Sequence, residues 1–116
     1  MATERAGRFE TASLTGLHWL AIVLAFLTGV IHVFVGVVGG RLPLTLAGLG
    51  FFGAIVLFLA DVRRQLLYVV GIVYTGIQVV LWLVVQAGEY TTIGYVDKAI
   101  QVVLIAILAY LYWHER

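Results

Sequence analysis

The run 14–38 contains no Asp, Glu, Lys or Arg. It is the longest apolar stretch in the chain, and it limits what the chain can become. As a helix it is long enough to cross a hydrocarbon core of about 30 Å, yet it carries His18 and His32, which a helix surrounded by lipid should not. His18, Ile22, Ala25, Gly29, His32 and Gly36 recur at alternating spacings of three and four, so they form one stripe on one face. The two histidines lie roughly 21 Å apart along the axis and about 40° out of alignment. Ala21, Ala25, Gly29 and Gly36 on or beside the stripe are small, which allows close helix approach within a membrane. This face points at protein. Leu20, Leu24, Leu27, Ile31 and Phe34 are free to meet lipid or other helices.

Three further apolar runs follow, at 44–60, 66–87 and 95–113. With 63% hydrophobic and 11% charged residues in 116, and a mean hydropathy of +1.08, the chain has too few polar groups to cover a soluble surface. The expected fold is all-α: one domain, an integral membrane four-helix transmembrane bundle. Residues 1–12, with Glu4, Arg5, Arg8 and Glu10, read as a short cytoplasmic tail, and Ser13 or Thr15 as the first helix cap. Gly39, Gly40, Arg41 and Pro43 break the chain, and Pro43 suits the first turn of a new helix. Asp61, Arg63 and Arg64 mark the second turn, and 88–94, with Glu89 and Tyr90, the longest connection. The first run is too long for a signal-peptide core and no small-residue cleavage site follows it, so it is expected to remain as an anchor.

Lys and Arg beside the spans set the orientation. Arg5, Arg8, Arg63, Arg64 and Arg116 make five on one side, against Arg41 and Lys98, two, on the other. Both termini are therefore expected in the cytoplasm. Trp19, Tyr90, Tyr95, Tyr110, Tyr112 and Trp113 suit the interfaces. The net charge of +1 and the lack of a basic block give no nucleic-acid partner. The absence of cysteine excludes disulfides and thiolate chemistry.

The segments Thr11-Ala12-Ser13-Leu14-Thr15-Gly16-Leu17-His18-Trp19, Asp61-Val62-Arg63-Arg64-Gln65-Leu66-Leu67-Tyr68 and Asp97-Lys98-Ala99-Ile100-Gln101-Val102 resemble an uncharacterised family, a domain of unknown function, of small four-span membrane proteins from halophilic archaea. The resemblance covers nearly the whole chain and implies a host and a topology but no activity. Size and span count are also similar to small multidrug-resistance transporters. Those rely on a glutamate in the first helix, which has no acidic residue here.

Polar residues inside spans are costly and point to packing or function. The third run carries Tyr68, Gly71, Thr75, Gln78 and Trp82 at three-four spacing, continuing toward Gln86, and the fourth carries Asp97 and Gln101 one turn apart beside Lys98. With each span centred on the midplane, His32 and Asp97 fall roughly 10 Å toward the outer side, Gln101 about 5 Å, and Gln78 near the centre. His32, Gln78, Asp97 and Gln101 thus form one candidate cluster. His18, Tyr68 and Tyr112 form a smaller one near the inner face. Gly48, Gly50 and Gly53 make the second helix a packing element beside Ala25, Gly29 and Gly36.

Three uses compete for the outer cluster. It can hold the helices in register, it can pass protons between His32 and Asp97 in a small transporter or channel, or the histidines of a homodimer can ligate haem b. Against the second use, Asp97 and Lys98 lie near the end of the span, where Asp97 can serve as a helix cap and Lys98 can snorkel to water. No nucleophile with a base in reach, metal-ligand set or cofactor motif appears, so no enzyme is expected. The expectation is a non-catalytic structural, accessory or assembly protein, working as a homo-oligomer because four short helices bury only a limited interior and the second helix's glycine-rich face needs a partner.

Overall fold

The computed structural model describes residues 14–85 and 91–115. They form four helices: α1 Gly16–Val38, α2 Leu42–Leu59, α3 Arg64–Val85 and α4 Thr92–Glu115. All four are long and apolar enough to cross a membrane. The tail 1–12, Ser13 as a cap, Gln86, most of the connection with Glu89 and Tyr90, and Arg116 lie outside the described residues. The apolar runs place each helix to within three residues. The ends shift because polar residues such as Arg64, Thr92 and Glu115 complete terminal turns that a hydrophobic count leaves out.

Thr15 is the N-cap of α1, and Pro43 sits in the first turn of α2. The two short turns use one local solution. After α1, Gly40 takes a left-handed conformation (φ 66°) while Gly40 N–H and Arg41 N–H donate back to the Val37 and Gly36 carbonyls. After α2, Asp61 takes the same place (φ 59°), with Asp61 N–H and Val62 N–H donating to Phe58 and Leu57. Each is a Schellman closure, which satisfies carbonyls that would otherwise end unpaired in an apolar medium.

The longest helix, α4, has 24 residues and is about 36 Å long, enough to cross a hydrocarbon core of about 30 Å. α1 packs along both α2 and α4, and α3 packs along α4, but α2 and α3 meet at only a few points. The α1–α2 seam is built on glycine. A Cβ on Gly48 would stand 2.6 Å from the Gly29 carbonyl oxygen and 2.8 Å from the Val33 nitrogen, and one on Gly36 would strike the Thr45 backbone. Ala25 packs against the apolar core formed by Ala21, Phe51, Leu104 and their neighbours.

The glycines of α2 do not share a face, contrary to expectation. At about 100° per residue, Gly50 and Gly53 point roughly 200° and 140° away from Gly48. Gly48 therefore meets α1, Gly50 meets the Tyr74 hydroxyl of α3, and Gly53 faces open space. Two of the three find their partners within the chain, which removes the argument for an oligomer drawn from this helix.

Candidate functional site

One stripe of α4 carries the polar chemistry. Asp97, Gln101, Leu104, Leu111 and Glu115 follow three-four spacing or multiples of it, and all but Glu115 are buried. The Asp97 end of the stripe, the outer end in the expected orientation, meets Thr28 and His32 of α1 and Gln78 of α3. The Glu115 end, the inner end in that orientation, meets His18 of α1 and Tyr68 of α3.

At the outer end the Thr28 hydroxyl donates to Asp97 Oδ1 at 2.5 Å and accepts from Gln101 Nε2 at 3.2 Å. The same Gln101 amide donates to Gln78 Oε1 at 2.8 Å. Lys98 Nζ donates to Asp97 Oδ2 at 2.9 Å and to Gln101 Oε1 at 2.7 Å. His32 Nδ1 donates to the Thr28 carbonyl at 2.8 Å. It lies 3.7 Å from Asp97 Oδ2, which is electrostatic contact without a hydrogen bond. The four residues named from the sequence thus come together, joined by Thr28 and Lys98. Thr28, one turn before His32 on the same face, could have been found by spacing.

Two smaller expectations are corrected. Asp97 is not a helix cap, because α4 begins at Thr92 and Asp97 is 3% exposed inside the bundle. Lys98 does not snorkel, because two acceptors within 2.9 Å lie inward and its ammonium turns to them, leaving the residue buried. An acid and a base adjacent in sequence form a net-neutral ion pair, which is how a bilayer interior tolerates charge.

At the inner end, Glu115 is the residue that the sequence reading missed. It accepts from His18 Nε2 at 2.5 Å on one oxygen and from the Tyr68 hydroxyl at 2.8 Å on the other. His18 is held for this contact by the N-terminus of its own helix. Its Nδ1 accepts the Thr15 backbone N–H at 3.0 Å, the role a Glu or Gln usually takes in a capping box. That acceptor role leaves the proton on Nε2, pointing at Glu115. Tyr112 is half-buried against the apolar cluster to which Tyr68 belongs. The continuing stripe through Leu104 and Leu111 was the signal for Glu115.

Both ring nitrogens of His18 are engaged with protein, and Nδ1 of His32 is held by Thr28. His18 therefore offers no lone pair to iron, and the pair does not fit a set of haem ligands. Among the described residues no group of three His, Cys, Asp or Glu side chains converges as a metal site.

A model of a family of unknown function, DUF7475, matches residues 3–112. The chain belongs to that family. No curated protein and no solved structure matches it. Membership of DUF7475 brings no reaction or ligand, so any assignment rests on the two clusters and on the space between the helices.

Proposed function

We propose that this member of DUF7475 is a non-catalytic, multi-pass protein of the cell membrane with a structural, accessory or assembly role, in a halophilic archaeal host. In this reading both termini are cytoplasmic and the small apolar interior is supplemented by homo-oligomer contacts in the bilayer. The observation that carries it is the closure of the Asp97 network. The ion pair is spent on itself, on Thr28 and on Gln101, and these groups tie α1 and α4 together, with Gln78 adding α3. A proton-coupled transporter would need the same cluster to be reached by water. The cavity of about 390 Å³ has none of Thr28, His32, Asp97, Lys98 or Gln101 in its walls, and a second, open one of about 400 Å³ between α2 and α3 touches the network only at Gln78.

The test is Asp97→Asn in purified protein and in proteoliposomes. A register lock gives lowered resistance to unfolding or an altered oligomeric state, with no proton flux in either form. Proton uptake by the wild type that vanishes in Asp97→Asn would overturn the reading in favour of a small transporter.

A further inference from the structure

The half of the bundle that lacks the polar network holds a cavity of about 390 Å³, within the size range of small-molecule sites, roughly 300–1,000 Å³. Its walls are almost wholly apolar or small: Ala21 and Ala25 of α1, Gly53 and Phe58 of α2, Gly71 of α3 and Leu108 of α4. On α2 it runs from Gly50 to Phe58 and on α3 from Leu67 to Thr75, about 12 Å along each axis. It lies where α2 and α3 stand apart, so its mouth is lateral, toward lipid. Gly53, with nothing within 4 Å of its Cβ position, lines it.

The polar groups at its ends are already engaged. The Tyr74 hydroxyl donates to the Ala47 carbonyl at 2.6 Å, and His18 and Tyr68 are held by Glu115. The exception is Thr75. The residue is in the cavity wall, and its hydroxyl, fully buried, is the only buried side-chain oxygen or nitrogen among the described residues without a hydrogen-bond partner. Such a group is costly and calls for a reason.

We infer that this cavity is a binding site for a lipid-soluble carbonyl compound, an elongated ketone or quinone that enters from the bilayer between α2 and α3 and accepts a hydrogen bond from the Thr75 hydroxyl. The position of the free hydroxyl selects this class. Thr75 is the twelfth of the 22 residues of α3, and so stands near mid-membrane. A phospholipid keeps its polar atoms at the interface and would leave Thr75 unsatisfied. A solute dissolved in the hydrocarbon can bring one oxygen to that depth while its apolar body fills the slot between Phe58 and the glycine and alanine faces.

The experiment is a titration of the detergent-purified full chain with 2-tridecanone labelled with ¹³C at the carbonyl, and in parallel with tridecane. The wild type should bind the ketone about 3- to 10-fold more tightly than the alkane, the ratio expected for one net hydrogen bond, with a downfield shift of the carbonyl resonance. Thr75→Val should erase both the preference and the shift, Thr75→Ser should keep them, and Gly53→Leu should block both probes by filling the slot. Equal binding of ketone and alkane, or a preference that survives Thr75→Val, would leave an apolar niche for acyl chains and sink the proposal. So would a failure of either probe to bind to protein of intact helicity and oligomeric state, without touching the reading of the Asp97 network.

Discussion

Lys98 and Thr75 are both buried polar residues, but their circumstances differ and so do their predicted responses. Lys98 neutralises Asp97, so Lys98→Met leaves an uncompensated buried carboxylate and should cost about 3–5 kcal/mol. Combined with Asp97→Leu it removes the pair, and much of that loss should return. Chemical denaturation of the single and double variants in detergent measures the difference. Thr75→Val exchanges an orphaned hydroxyl for a methyl of similar shape, and without ligand should raise stability by about 1 kcal/mol. His32, Gln78, Asp97 and Gln101 were legible from the sequence because polar residues are rare in spans and helical rise gives their depth. The inward turn of Lys98 was not, since the choice between water and a buried acceptor depends on what the neighbouring helices offer. Glu115 was passed over because it follows Trp113 in what reads as a polar tail, although α4 carries it on the same face as Asp97.

Between α1 and α2 the decisive quantity is backbone separation. Gly48→Ala places a methyl against the Gly29 carbonyl and the Val33 nitrogen, neither of which can rotate away, and should destabilise by about 1–3 kcal/mol. Gly53→Ala, on the same helix, meets open space and should be neutral or stabilising by up to about 1 kcal/mol through helix propensity. Thermal unfolding of the two variants side by side checks the contrast. The helices were legible from hydropathy and the α1 stripe from its periodicity, since its buried residues include His18, Gly29, His32 and Gly36. The direction of each α2 glycine was misread because residue type was grouped without regard to angle. The gap between α2 and α3 has no sequence signature, because it depends on how the outer helices lean on the central α1 and α4.

Across the whole bundle, burial of Lys98 changes the charge count that sets orientation. With Lys98 inside, the flanking Lys and Arg become five against Arg41 alone, which sharpens the expectation of cytoplasmic termini. The chain has no cysteine, so single substitutions report topology directly. In intact cells Leu42→Cys should react with an impermeant maleimide and Asp61→Cys should not; the reverse pattern would invert the assignment.

The adjacency of Asp97 and Lys98 also bears on how the protein is made. α4 is the least hydropathic of the four spans, with a mean of 1.7 against 2.1 or more for the others. It follows the other three in the chain. Because acid and base are neighbours on one turn, each arrives with its counter-ion attached, and the segment can partition from the translocon as an electrically neutral unit. Thr28, which donates to Asp97, and Gln101, which accepts from Lys98, complete the hydrogen bonds of the pair in the folded bundle. Separating the two charges by several turns, with composition unchanged, would make membrane entry of this helix depend on prior docking against α1.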